Sequence, residues 1–329
     1  MKRIAQPLKH HTGVALITAL LVVSLASILA ISLVEHLNYD IRRTENILRL
    51  DQAQLYNNNA VEFGRGLLSM DRNLNNEFDT LAEYSDANEQ IFPVDNGSIS
   101  AKIIDLQGRF NLNSLSKTNS TEELTRNKLI FRALLSNLEI DSNLHSMLTD
   151  SLIDWLDTDD ISEPYGAEFD YYIGLDSPYR TANNLMLSPT ELLLVKGYTA
   201  EIVEALTNYI CVLPSVKTNI NINTASLVML ESISELAPHA SQIIEYRDGK
   251  AEDPEDDEPF ARLDDFKKYA RETLKINNYE PAGLQVYSEY FMFESHTQLG
   301  AGDIHLFSLI HRDQADGTSQ LIHQSRGTL

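Results

Sequence analysis

One cysteine, Cys211, stands in 329 residues, so no internal disulfide framework holds this chain together. That absence leaves the compartment open, because large proteins outside the cytoplasm also fold without bridges. A single thiol of this kind reads as a small core residue. Positive charge is also scarce: 26 Lys and Arg face 48 Asp and Glu, for a net charge of −22. A chain this acidic is repelled by phosphate backbones and anionic membrane surfaces, which excludes nucleic acid as the expected partner and favours divalent cations and basic protein surfaces. Catalytic signatures are missing too. No G-x-S-x-G elbow or phosphate loop occurs, and the nine His residues show neither H-x-x-x-H nor H-E-x-x-H spacing. The chain therefore reads as a non-enzyme, and its length suggests two folded units.

Charge is wholly absent from one long run, residues 14–34, which reads VALITALLVVSLASILAISLV. As a helix it extends ~31 Å, enough to cross a bilayer core. Lys2, Arg3 and Lys9 precede it and acidic residues follow, which places the N-terminus in the cytoplasm and the remainder outside. A secretory signal peptide has a shorter apolar region and a small-residue cleavage site after it. Here Glu35, His36 and Asn38 occupy that place, and the helical pattern continues through them.

Gly13 stands at the junction of the polar leader and the apolar run, followed by Val14. This arrangement resembles the type IV pilins and pseudopilins, whose leader ends in Gly and is removed by a prepilin peptidase. The resemblance implies cleavage between Gly13 and Val14 and methylation of the new N-terminus. Most of that class carry Glu at the fifth mature position; here it is Thr18. That Glu is thought to neutralise a neighbour's ammonium within the membrane, where an unpaired charge is costly. A subunit without it fits a filament tip. Within the class the chain resembles minor pseudopilin K of type II secretion systems.

Beyond the span, Leu37, Ile41, Leu48 and Leu55 recur at spacings of four and seven, with Ala53, Ala60, Phe63 and Leu67 nearby. The pattern predicts one long helix, ending near residues 70–76, whose second half packs on a head domain. Residues 71–97 read as loop and 98–105 as a strand with Ile99, Ala101 and Ile103 on one face. Residues 110–115 are expected to pair back on it. More strands are expected at 286–293, 304–311 and 319–324, the last two separated by Asp316-Gly317. The fold class expected is α+β: a pilin-like long N-terminal helix on a small antiparallel sheet, with a large inserted all-helical domain. The divisions are 1–13 leader, 14–34 transmembrane helix, 35–113 amphipathic helix and first strands, 114–283 inserted helical domain and 284–329 last strands.

The insertion contains an internal echo. Asn111-Leu112-Asn113-Ser114 and Asn221-Ile222-Asn223-Thr224 share N-x-N-[ST], with Ser114 and Thr224 suited to cap the helices that follow. Ile153-Asp154-Trp155 parallels Ile244-Glu245-Tyr246 further on. Residues 220–247 resemble a helix-hairpin-helix module, but its hairpin, Ser234-Glu235-Leu236-Ala237-Pro238, has no glycine nest for a phosphate and adds a carboxylate. A structural or protein-contact role is expected of it. Ser188 with Glu191, and Pro189 between them, form a capping box at a helix start.

The stretch DWLDTDDISEPYGAEFDYY concentrates carboxylates. Asp157, Asp159 and Glu168 occupy positions one, three and twelve of a calcium-loop spacing, with Asp154, Asp160, Glu163 and Asp170 as further oxygen donors. It is not an EF-hand, because Ser162 stands where the turn needs Gly and Ile161 replaces a ligand. Clustered carboxylates repel one another without a cation, and Trp155, Tyr165, Phe169, Tyr171 and Tyr172 argue that the loop packs down. Spacing alone leaves a solvated acidic loop and a metal site equally open. The resemblance to the K pseudopilins implies a structural Ca2+ site in the inserted domain. A second acidic run, 252–258, reads as a solvated loop.

By the same resemblance the chain is a single-pass inner-membrane protein with a periplasmic head. The partners this implies are minor pseudopilins I and J, in a complex at the pseudopilus tip, and the prepilin peptidase, with other pseudopilins and the inner-membrane platform as further candidates. The machine it serves exports folded proteins across the outer membrane. A minor pilin of a type IV pilus or a DNA-uptake filament is the other reading these residues allow.

Overall fold

A computed structural model describes residues 12–73, 77–81, 90–249, 259–300 and 302–326. Residues 1–11 of the expected leader and the whole of the acidic run 252–258 lie outside the described residues. Helix α1 runs unbroken from Thr12–Asn73, 62 residues, and so extends ~93 Å. Its apolar first part is fully exposed on the protein itself and is long and apolar enough to span a membrane. That exposure suits a helix solvated by lipid.

Only the far part of α1 meets the head. Ala53, Asn57, Val61 and Leu68 are buried at helical spacing, whereas Leu37, Ile41, Leu48 and Leu55 are all exposed. The inward stripe is therefore not the leucine series that periodicity picks out. At its closest approach the helix needs glycine: a Cβ on Gly64 would stand 2.3 Å from the Phe293 ring.

The sheet has five antiparallel strands in the order β1-β2-β7-β8-β9. These are β1 (Gln90–Val94), β2 (Gly97–Asp105), β7 (Tyr290–Leu299), β8 (Gly302–Arg312) and β9 (Ser319–Arg326). Val61 and Leu68 of α1 pack on Phe291, Phe293, Leu306 and Ile310 of its inner face. Strand β1 falls within the stretch expected to be loop. It pairs through Gln90↔Ala101 to Val94↔Gly97, and Asn96, at φ 66, stands in the two-residue turn.

The central pair, β2 and β7, are neighbours in space but far apart in sequence. Between Asp105 and Tyr290 the chain leaves the sheet and returns to the same place, an excursion that contains residues 114–283. It holds α2 (Thr121–Asn137), α3 (His145–Leu156), α4 (Phe169–Ile173), α5 (Ala200–Leu206), α6 (Leu227–Glu231), α7 (Ala240–Arg247) and α8 (Leu263–Glu272), around one large apolar core. Two short parallel ladders join it to the head. In one, β3 (Phe110–Asn111) pairs β4 (Ile210–Cys211); in the other, β5 (Ile220–Asn221) pairs β6 (Leu284–Gln285). Residues 110–115 thus do not pair back on β2. Phe110 and Asn111 join β4 and the next four residues form a 3-10 turn.

The N-x-N echo is structural, though not as a pair of caps. Asn111 and Asn221 each accept, through Oδ1, the backbone N–H two residues on. Asn113 donates to the carbonyls of Met186 and Leu213 and accepts from Met186 N–H. Asn223 repeats this on Phe260 and Val286. Each buried amide thus ties the end of a two-residue ladder to a remote loop, meeting the requirement that buried polar groups be paired. The helices that follow are capped later than expected, by Ser120 with Glu123 as a capping box and by Ser226. Aromatic clusters echo as well: Trp155 meets Tyr172 edge-on at 5.4 Å, and Tyr246 stacks on Phe260 at 5.2 Å. The capping box at Ser188 and Glu191 forms, but on a 3-10 turn rather than an α-helix.

Candidate cation site and family relationship

Three carboxylates converge where α3 ends and α4 begins. Asp154 lies in the last turn of α3, Asp157 ends that helix, and Glu168 immediately precedes α4. One oxygen from each lies within 4.8 Å of the others, and all three residues are buried. The loop between them is closed by backbone: Glu163 N–H donates to both Asp154 oxygens at 3.0 and 3.1 Å. Lys196 pins the other side through the Tyr165 and Gly166 carbonyls. A Cβ on Gly166 would stand 1.8 Å from Asp154 Oδ2, so the loop can wrap this tightly only with glycine there.

Among the residues singled out by spacing, the structure brings together Asp157, Glu168 and Asp154. Asp159 is not with them: it is exposed and its Oδ1 accepts from Ile161 N–H at 2.8 Å. The calcium-loop spacing counted it in because alternate positions face one ion in that motif, whereas here it closes a local Asx turn. Asp154, which lies upstream of that count, takes the place because the last turn of α3 faces the returning loop. Asp160 contacts Asn183 Nδ2 at 3.3 Å, and Asp170 points to solvent. Glu163 pairs with Lys117 at 3.1 Å and Lys128 at 3.6 Å. Of the aromatics, Trp155 and Tyr172 are buried, while Tyr165, Phe169 and Tyr171 are exposed rather than packed down.

The charge balance of the cluster is incomplete. Lys117 Nζ reaches Asp157 Oδ2 at 2.8 Å. Burial opposes the charge on Lys117, yet its contacts with Asp157 and Glu163 outweigh burial and raise its pKa above the usual range. Neither oxygen of Glu168 receives a well-formed hydrogen bond, although the Thr181 hydroxyl lies beside it. Burial first, then repulsion from Asp154, Asp157 and Asp160, pushes the Glu168 pKa up to about 7. Burial likewise raises Asp154 to about 6, against the Glu163 and Ala167 N–H groups that favour its charge. Buried carboxylates of this kind are held by hydrogen bonds, by cations or by protons. Hard oxygen donors on a tight loop, with two orphaned oxygens facing inward, fit Ca2+.

A second cluster was invisible to spacing within the sequence. His296, Asp303 and His305 also bring three possible ligands within 4.8 Å. The signal lies in hairpin register, since β7 and β8 place His296 opposite His305.

Comparison with known proteins places the chain. Residues 108–215 match the family model described as type II secretion system (T2SS), protein K. That stretch coincides with the first of the two echoing units and includes the carboxylate cluster. The type II secretion system protein K of Aeromonas hydrophila is 37% identical over 224 residues, covering 66% of this chain and 68% of the relative. That of Pseudomonas aeruginosa is 31% identical over 329 residues, covering 97% of this chain and 94% of its own. A chain in the crystal structure of the GspK-GspI-GspJ complex from enterotoxigenic Escherichia coli superposes with a TM-score of 0.74. It is 23% identical and is covered in full by 87% of this chain, a likeness of fold. With its long apolar N-terminal helix, five-stranded head and helical excursion, this chain belongs to the type II secretion system protein K family.

Proposed function

We propose that this protein caps the tip of the type II secretion pseudopilus and assembles there with minor pseudopilins I and J. The observation that carries the reading is the shape of the chain: one exposed apolar rod, joined without a break to a head widened by a large excursion. A head of this kind suits the end of a filament, where no identical subunit need stack beyond it. The relative of known structure is itself found in a GspK-GspI-GspJ complex, which supports the same partners here. The leader is removed between Gly13 and Val14, Val14 is methylated, and the rod stores the subunit in the inner membrane with the head in the periplasm. Thr18 in place of the usual Glu suits the outermost position. Its hydroxyl donates to the Ala15 carbonyl at 3.0 Å within the helix and so adds no unpaired charge to the membrane.

Asp154, Asp157 and Glu168 hold one Ca2+, whose charge supplies the cation that the loop lacks. The ion's role is structural: it ties α3 to α4 and orders the family-matched half of the insertion. No catalytic step is assigned, and action is by assembly and display.

Co-expression of the full chain with tagged I and J subunits in detergent tests the assembly. A stable ternary complex is expected, together with N-terminal sequence starting at Val14. Recovery of a free periplasmic form cut beyond residue 30 would falsify the reading.

A further inference from the structure

The outer face of the sheet, opposite α1, carries the histidine cluster, which the secretion reading does not use. His296 and His305 are cross-strand partners. Their rings stack with centroids 3.9 Å apart and planes 8° from parallel. Asp303 precedes His305 by two residues and so shares its face of β8. Its Oδ1 touches His296 Nε2 and lies 3.7 Å from His305 Nε2. Two ring nitrogens and a carboxylate oxygen thus converge from two regularly paired strands.

An ordinary surface ion pair would need one imidazole and one carboxylate, and it contributes little. Here a second imidazole lies flat on the first, with its Nε2 3.7 Å from the same oxygen. We infer that His296, Asp303 and His305 form a binding site for one divalent transition ion of the zinc class. Imidazole nitrogen is a borderline donor that suits zinc, copper and nickel and is a poor ligand for calcium. The oxygen-only pocket at Asp154 has the opposite preference. The side chains are 35%, 58% and 51% exposed for His296, Asp303 and His305, so the remaining coordination positions open to water. All three sit on strands rather than on the turn, so the backbone fixes their spacing, and rotation of the stacked rings about χ2 turns both Nε2 lone pairs onto one ion. The turn beside them approaches Arg49 and Leu50 of α1. The site therefore lies on the membrane-facing edge of the head, ~24 Å along the helix beyond the span.

The test uses the full-length protein in detergent, saturated with calcium, and titrated with Zn2+ against a chromogenic chelator. One zinc per chain with micromolar affinity is expected, and Co2+ should give the visible bands of a low-coordinate nitrogen–oxygen site. His296→Ala and His305→Ala should each weaken this binding roughly tenfold or more and abolish the cobalt spectrum. His323→Ala, on the neighbouring strand, should leave both unchanged. Since all three ligands are partly or largely exposed, zinc-free melting curves of the variants should overlay the wild type. His305→Asn serves as a second probe if one does not. Equal zinc titration by wild type and His305→Ala, or no uptake at sub-millimolar free zinc, overturns the site.

Discussion

Two regions of this protein bury carboxylates, and they treat them in opposite ways. At the junction of sheet and insertion, Arg312 donates to both oxygens of Asp79 at 2.6 Å, to Asp71 at 2.9 Å and to the Ser288 carbonyl. Its guanidinium lies 4.8 Å over the Phe291 ring. Asp105, beside it, accepts from Ser288 Oγ, Asn221 Nδ2 and Gln107 N–H. In the pocket between α3 and α4, Asp154 and Asp157 are partly answered by backbone and Lys117, and Glu168 is not. The junction carries its own counter-charge, whereas in the pocket Glu168 has none beside it. Architecture is thus wired internally at the root of the excursion, and left conditional further out.

The sharpest break is at the junction. Arg312→Ala leaves Asp79 buried without its cation and should cost about 3–5 kcal/mol in chemical denaturation. The loss should be the same with calcium or with chelator, because none of these groups faces the pocket. A calcium-dependent loss would merge the two regions into one.

The pocket should respond in the reverse manner. Calcium at a hundredfold excess over its Kd should stabilise the wild type by about 2.7 kcal/mol. Glu168→Gln should remove most of that gain while leaving the chelated protein as stable as before, or more so, since an unanswered charge has gone. Asp159→Asn, outside the cluster, should retain the gain. Melting temperatures of the three proteins with and without calcium decide the point.

Smallest in size is the effect of pH. In the folded, metal-free chain Asp154 and Glu168 have pKa values of about 6 and about 7, above their ordinary 3.8 and 4.5. The folded state then binds protons more tightly than the unfolded one, so stability falls as pH rises from about 4 to 7 and returns on acidification. Burial pushes Asp105 up to about 6 too, with or without calcium. The calcium-dependent part of the pH profile therefore isolates the pocket. Chelated protein should gain a few degrees between pH 7 and 5, and calcium-loaded protein should gain less or lose. Parallel profiles would disconnect the carboxylates from the ion.

The sequence made the rod, the strands at both ends and the helical middle legible, because each follows a period of hydrophobic residues. It placed Ala53 in the pattern of α1 but grouped it with Leu37, Ile41, Leu48 and Leu55, which are exposed, and Gly64 is kept small by the Phe293 ring rather than by any hydrophobic period. Strand β1 lacks alternation, since four of its five residues are exposed. Asp157 and Glu168 were legible from spacing. Asp154 rather than Asp159 lies beside them because it sits in the last turn of α3, which no loop register reports. The histidine pair depends on strand register, which no linear spacing reports.

The unbroken helix has a mechanical corollary. Between the apolar run and Arg49, where the head first comes close, every residue of α1 is exposed, so this stretch is a drive shaft with no side bearing. One residue added there would turn the head by about 100° and lift it by ~1.5 Å relative to the membrane. The azimuth at which the head faces its neighbours is therefore set by the number of residues in the shaft.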